Sequence, residues 1–178
     1  MNEQESLVAA IHEDVKLHEY DPSWPGAFAM EEARLRSLLP RTFLDIQHVG
    51  STAVPGLVAK PIIDILAGVE SMAVAESLAP SLCSSGYTTS AEFNASLSDR
   101  KWFMRWKDGH RTHHLHVVVH NSPAWHERLH FRDALRASPA LAAQYALLKA
   151  GLAEEHSADR EAYTDAKAEF VRAISRAA

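Results

Sequence analysis

A single cysteine, Cys83, stands in 178 residues, which excludes an intrachain disulfide framework. A reducing compartment is the natural setting, and the apolar neighbour Leu82 makes Cys83 read as packing rather than nucleophile. No hydrophobic run approaches the roughly 20 residues needed to cross a bilayer. The N-terminus, MNEQESLVAA, lacks the basic start and apolar stretch of a secretory signal. The expectation is a cytoplasmic protein with no membrane partner. An excess of positive charge is also missing. Eighteen Lys and Arg against 23 Asp and Glu leave a net charge of −5, which argues against nucleic acid as a partner. A local basic pocket remains compatible with that balance, because Arg and Lys are unevenly spread. Internal repeats, low-complexity tracts and Gly/Ser linkers are absent too. One domain over residues 1–178, long enough for a real core, is the reading; nothing in the sequence fixes its oligomeric state.

What is present is ordinary in bulk, 47% hydrophobic and 23% charged, and informative in pattern. Residues 1–14 read as a loose or short helical lead-in, and Val15 to Tyr20 alternates like a strand. Asp21-Pro22 supplies a cap and a first-turn proline for a helix to about Leu39. Phe43 to Val49 is a strand leading to Gly50-Ser51, and Pro61 to Val69 a buried one. Ser71 to Ser84 predicts an amphipathic helix; Trp102 to Trp106 and Leu115 to Val119 predict strands. Ser122-Pro123 and Ser138-Pro139 then open two helices. A last one runs from about Asp159 to Arg176, with Tyr163, Ala166, Phe170 and Ile174 as its apolar stripe. The expected class is α+β: a mixed-sheet body over about 15–120, then a helical third over about 121–178.

Chemistry concentrates between His48 and Val69. Asp64 sits among Ile62, Ile63, Ile65 and Leu66, and a charge inside an apolar strand is costly unless something meets it. Gly50-Ser51 precedes it by the twelve residues 52–63. A Gly-Ser turn followed by a strand carboxylate is where a phosphate meets a metal. The bland alternatives are a turn glycine, a capping serine and a structural ion pair of Asp64 with Lys60 or an arginine. Lys60, four residues before Asp64, reads as a phosphate contact, a partner for Asp64 or a solvated lysine. Five of the eleven histidines fall between 110 and 120. His114, His116 and His120 share one strand face, with Leu115, Val117 and Val119 on the other. His114-Leu-His116-Val begins like a histidine-triad hydrolase motif, but Val118 stands where the third histidine is required. Glu92 is the spare carboxylate for a metal site, with a solvated loop residue as its alternative. Arg100 and Arg105 flank an aromatic strand as phosphate binders or edge cover. Arg128, Arg132 and Arg136 form a basic stripe, a solvated face unless it meets phosphate, with Arg132 the strongest candidate.

The stretch HVGSTAVPGLVAKPIIDI resembles the signature of the GrpB family. The likeness continues in YDPSW (20–24), HHLHVV (113–118), FRDALRASP (131–139), YALLK (145–149) and AYTDAK (162–167), and so spans nearly the whole chain. It implies a nucleotidyltransferase-like fold. In nucleotidyltransferases related to DNA polymerase beta, the Gly-Ser turn holds nucleotide phosphates. Two aspartates at alternate strand positions there bind divalent metal, since residues i and i+2 share a face. Here the second position is Leu66, which removes a ligand. The resemblance then makes Gly50, Ser51, Lys60 and Arg132 substrate-binding, and Asp64 and His116 catalytic. Asp64, His114, His116 and Glu92 become candidate ligands of magnesium, manganese or zinc, with Asp plus His favouring a transition metal. Lys149 and Lys167, in family-like contexts, reach phosphates from the helical side. Two readings follow: a metal-dependent nucleotidyltransferase using a nucleoside triphosphate, or a catalytically inactive module binding a nucleotide or other phosphorylated small molecule. A helper domain for other enzymes is a third.

Overall fold

A computed structural model describes residues 1–177. Its sheet comprises β1 (Asp45–Val49), β2 (Ile63–Val69), β3 (Tyr87–Thr88), β4 (Arg100–Lys107) and β5 (His110–Val119), in the order β1-β2-β5-β4-β3. Strands β2 and β5 run parallel and the other pairs antiparallel, so the sheet is mixed. Helices α1 (Glu3–Ile11), α2 (Trp24–Leu38), α3 (Met72–Ser77), α4 (Ala79–Cys83) and α5 (Ala91–Ala95) are interleaved with it. Helices α6 (Pro123–Ala137), α7 (Pro139–Glu155) and α8 (Arg160–Arg176) follow. The α+β class, the mixed sheet and the helical C-terminal region are those expected. Among the described residues, no helix is long and apolar enough to cross a membrane.

Strand β2 reads as a continuous apolar run because both of its faces are covered. On one face Ile63, Ile65, Ala67 and Val69 join Phe103, Leu115 and Val117 against Trp24 and Leu35 of α2 and Leu82 of α4. On the other, Leu66 packs with Val49, Val118 and the α6 residues Ala124 and Trp125. Gly68 permits that packing, since a Cβ there would lie 3.0 Å from Trp125 Cζ3. A third cluster joins Phe131 and Leu135 of α6 and Tyr145 of α7 to Val54 and Leu57, with Phe170 and Ile174 of α8 against it.

Local signals set the helix starts. Ser122 and Ser138 accept hydrogen bonds from Trp125 and Leu141 amides, each cap stabilising by about 1 kcal/mol. Four expectations need correction. Val15–Tyr20 is no strand: a lone bridge between His18 and Ala59 is all that pairs it. The helix expected over Ser71–Ser84 is two short ones, because Pro80 withholds an amide near the junction. Cys83 is exposed rather than packed, and Leu82 alone points inward. Ala166 is exposed too, and Val171 takes its expected place in the packed stripe.

Candidate functional site

The turn after β1 is fixed by several independent contacts. Gly50 has φ 74° and ψ −174°, a conformation that glycine alone adopts readily. A Cβ at Gly50 would also fall 2.6 Å from Asp64 Oδ2, so the turn and the carboxylate sit against each other. His48 Nε2 lies 2.9 Å from Thr52 Oγ1, and that hydroxyl donates to Ile62 O at 3.3 Å. The helical side clamps the same segment. Arg132 donates to His48 O at 3.1 Å and Gln47 Oε1 at 2.9 Å, and Arg136 to Ala53 O at 2.8 Å. Lys149, 1% exposed, donates from Nζ to Ser51 Oγ at 2.9 Å and to Val58 O.

Parallel pairing sets Asp64 opposite His114 and Leu66 opposite His116. His114 Nδ1 stands 3.5 Å and His116 Nε2 3.6 Å from Asp64 Oδ1. These contacts are long for hydrogen bonds but electrostatically effective at such depth. Burial by itself raises the Asp64 carboxyl; the two imidazoles beside it outweigh that and hold it well below the usual carboxylate range. Burial lowers both histidines, His114 to about 4, so at neutral pH they are uncharged beside an ionised Asp64.

Around this carboxylate opens a cleft of about 860 Å³. Lys60, Arg100, Arg111, Lys149, Arg160 and Lys167 line it, together with Ser51, Trp102 and Phe93 and with the acidic residues Glu13, Asp64, Asp159, Glu161 and Asp165. Lys60 and Lys167 each place Nζ 5.0 Å from the ring centroid of Tyr163. Tyr163 itself is fully buried with its hydroxyl unpartnered. Among the described residues, no carboxylate lies within 4 Å of Lys60, Lys149 or Lys167. Burial, then Lys167 and Arg160, push Lys60 down to about 6; burial, then Lys167, push Lys149 down to about 7. Lys167 is lowered as well, chiefly by burial. Glu13, just after α1, holds the far end through Arg160, 3.6 Å away, and the amide of Arg111.

The structure brings together Gly50, Ser51, Lys60, Asp64, His114 and His116. Arg132 is elsewhere: its guanidinium is spent on β1 and on Asp133 at 2.8 Å, and it does not line the cleft. Glu92 is exposed on α5 and also outside the lining, so it completes no set with Asp64. Among the described residues no group of three or more His, Cys, Asp or Glu is placed to hold a metal ion. Leu66, wholly buried under Trp125, closes the position where a second carboxylate would stand. The donor set therefore does not fit a two-metal centre. Arg111, Arg160 and the Tyr163 hydroxyl went unread in the sequence. Arg111, beside the histidine strand's start, carried a signal; Arg160 and Tyr163 looked like helix surface and helix stripe.

Fold and site together define an α+β protein with a cleft that gathers lysines and arginines around a Gly-Ser turn and the ionised Asp64. The chain belongs to the GrpB family: that family's model, described as GrpB protein, matches residues 14–177. Glutamate-rich protein GrpB of Alkalihalophilus pseudofirmus is 36% identical over 165 residues, which cover 90% of this chain and 94% of that one. The UPF0157 protein YqkA of Bacillus subtilis is also 36% identical, over 154 residues, 86% of this chain but 44% of that protein. A dephospho-CoA kinase of Mycobacterium leprae is 31% identical over 183 residues, 89% of this chain and 45% of the kinase. The chain thus spans less than half of the last two. The crystal structure of GrpB from Enterococcus faecalis superposes with a TM-score of 0.81 at 35% identity, covering 91% of this chain and 96% of that one.

Proposed function

We propose that the cleft binds a small molecule carrying a polyphosphate or phosphate ester, a nucleotide foremost. The observation that carries this reading is the convergence of Lys60, Lys149 and Lys167 with Arg111 and Arg160 on one cavity. Burial first, and then the like charges around them, lower the proton affinity of Lys60 and Lys149, and among the described residues neither amine has a carboxylate within 4 Å. A bound anion reverses that penalty. Ser51 sits where a phosphate oxygen would reach it, and Trp102 with Phe93 offers an aromatic wall for a base. The Mycobacterium leprae relative is named for a kinase of dephospho-CoA, itself a phosphate-bearing nucleotide, which places that compound among those to try. Thermal-shift measurements with pyrophosphate, ATP, CoA and dephospho-CoA, each with and without Mg²⁺ or Mn²⁺, test the reading. At least one should stabilise the chain without metal, and Lys60→Ala with Lys167→Ala should remove the effect. No stabilisation by any of them up to millimolar concentration contradicts it.

Nucleotidyl transfer is the second reading, favoured by the ionised Asp64 against the Gly50-Ser51 turn. It requires metal-dependent pyrophosphate release from a nucleoside triphosphate, abolished by Asp64→Asn. Binding without turnover is the better supported of the two, because Leu66 belongs to the core rather than to the site.

A further inference from the structure

A second cavity of about 390 Å³ shares Gly50, Asp64 and His116 with the basic cleft and is otherwise lined by different residues. Those three residues border both spaces. Val49 of β1, Phe131 of α6 and Val171 of α8 make the apolar wall of the second space. Arg128, Arg172 and Arg176 make its basic wall, with Glu127 the one further acidic residue on it. Among the described residues no carboxylate lies within 4 Å of these three arginines. Arg128 is held by a bond from Nη1 to Ala124 O at 3.0 Å, which fixes its guanidinium rather than neutralising it. At this shared border, His116 turns Nε2 toward Asp64 and keeps Nδ1 buried with no partner among the described residues. A volume in the small-molecule range, an apolar wall and unneutralised guanidiniums are the marks of a built ligand site.

We propose that this cavity is a second ligand site, for a small molecule with an apolar body and one anionic group. The anion lies on Arg128, Arg172 and Arg176, and the body on Val49, Phe131 and Val171. The other end of the molecule rests against Asp64 and His116, beside the phosphate compound in the cleft. That last clause, two ligands bound at once, rests on the cleft reading; the cavity as a site does not.

The test is a nuclear magnetic resonance titration of the full ¹⁵N-labelled chain with 4-hydroxybenzoate and, separately, phenyl phosphate. The two arms distinguish a carboxylate from a phosphate as the anionic group. Saturable shifts are expected at the Val49, Phe131 and Val171 amides and at the His116 ring. Arg172→Ala removes an exposed side chain and leaves the fold intact, so the expected result is affinity weakened about fivefold or more. Lys60→Ala, which reports on the cleft, leaves that affinity unchanged. Absence of saturable shifts in the folded protein with both probes overturns the proposal, as does binding lost in Lys60→Ala but kept in Arg172→Ala. Repeating the titration with pyrophosphate present separates the claims. Shifts that persist support two ligands at once, and one-for-one competition overturns that clause. Probe binding in a protein that ignores pyrophosphate sustains this site while the cleft reading fails.

Discussion

On the sheet face covered by α2 to α4, Glu31 is 4% exposed and fully engaged. It accepts the Tyr87 hydroxyl at 2.6 Å and the Arg34 guanidinium at 2.9 Å, with Arg105 on its other oxygen. On the opposite face Lys60, Lys149 and Lys167 surround a cavity, and one ionised carboxylate, Asp64, stands beside two uncharged histidines. The first face buries its charge almost completely, with 5% of the Glu31 side chain exposed; the second holds its charge at a cavity wall, with 28% of Asp64 exposed. One matches it internally and the other does not. Matched charge is what a fold needs to keep its own elements together, and unmatched charge persists only where something from outside completes it. The arginines divide less sharply: Arg105 and Arg132 are structural, Arg160 pairs with Glu13 at 3.6 Å, Arg111 donates to the carbonyls of Ala10 and Ile11, and Arg128 has no carboxylate within 4 Å among the described residues.

The comparison breaks first at Leu66, the position that separates a two-carboxylate site from this one. Leu66→Asp is expected to lose about 3–5 kcal/mol in urea unfolding, because it puts a carboxylate under Trp125 with no cation to meet it. A variant that keeps its stability and gains metal binding would show that this face is pliable. Next in size is Glu31→Ala. Removing the acid leaves two guanidiniums and a phenol without their partner, and about 2–4 kcal/mol should go, with pyrophosphate affinity unchanged. Gly50→Ala comes third, at about 2 kcal/mol, from a Cβ in a glycine-only conformation driven against Asp64. Its readouts are the melting curve and the loss of ligand-induced stabilisation.

Smallest and most discriminating is Lys60→Met. Replacing an amine that burial and neighbouring positive charge push down to about 6 should raise the melting temperature of the free protein by about 2–4 °C, while weakening pyrophosphate binding at least about tenfold. Stability and affinity moving in opposite directions is the signature of a binding residue. A structural lysine would lose both. The pH dependence carries the same sign. Lys60 and Lys149 have folded values of about 6 and about 7, below the ordinary lysine value of 10.5. The unfolded chain therefore binds more protons through that interval, and these two groups make the free protein more stable as pH rises from about 6 toward 10.

Much of the fold was legible because its signals are local. Ser122-Pro123 and Ser138-Pro139 cap their helices as read, since a cap needs only its own turn. The β2 run is a central strand for the same reason its sequence is apolar. Val15–Tyr20 failed because alternation describes a strand that has neighbours, and this segment has one residue's worth. In the site, Gly50, Ser51 and Asp64 lie near one another in sequence, and the parity of β5 put His114 and His116 on one face. The cleft's basic wall was harder. Lys149 and Lys167 carried the family-like pattern, but nothing local tells that Arg160 and Tyr163 turn inward on α8 to face Lys60 from a hundred residues away in sequence. Arg132 misled for the complementary reason: a periodic arginine stripe says which side of a helix is basic, not that β1 carbonyls wait opposite it.

Calorimetric titration of the intact chain with pyrophosphate at pH 8, in two buffers of different ionisation enthalpy, tests the central claim most directly. With Lys60 and Lys149 largely neutral in the free cleft at that pH, binding should draw protons from solution. The apparent enthalpy should then differ between buffers, and affinity should fall as pH rises further. Absence of binding, or binding with identical enthalpy in both buffers, would contradict a cleft whose lysines take up protons when an anion binds.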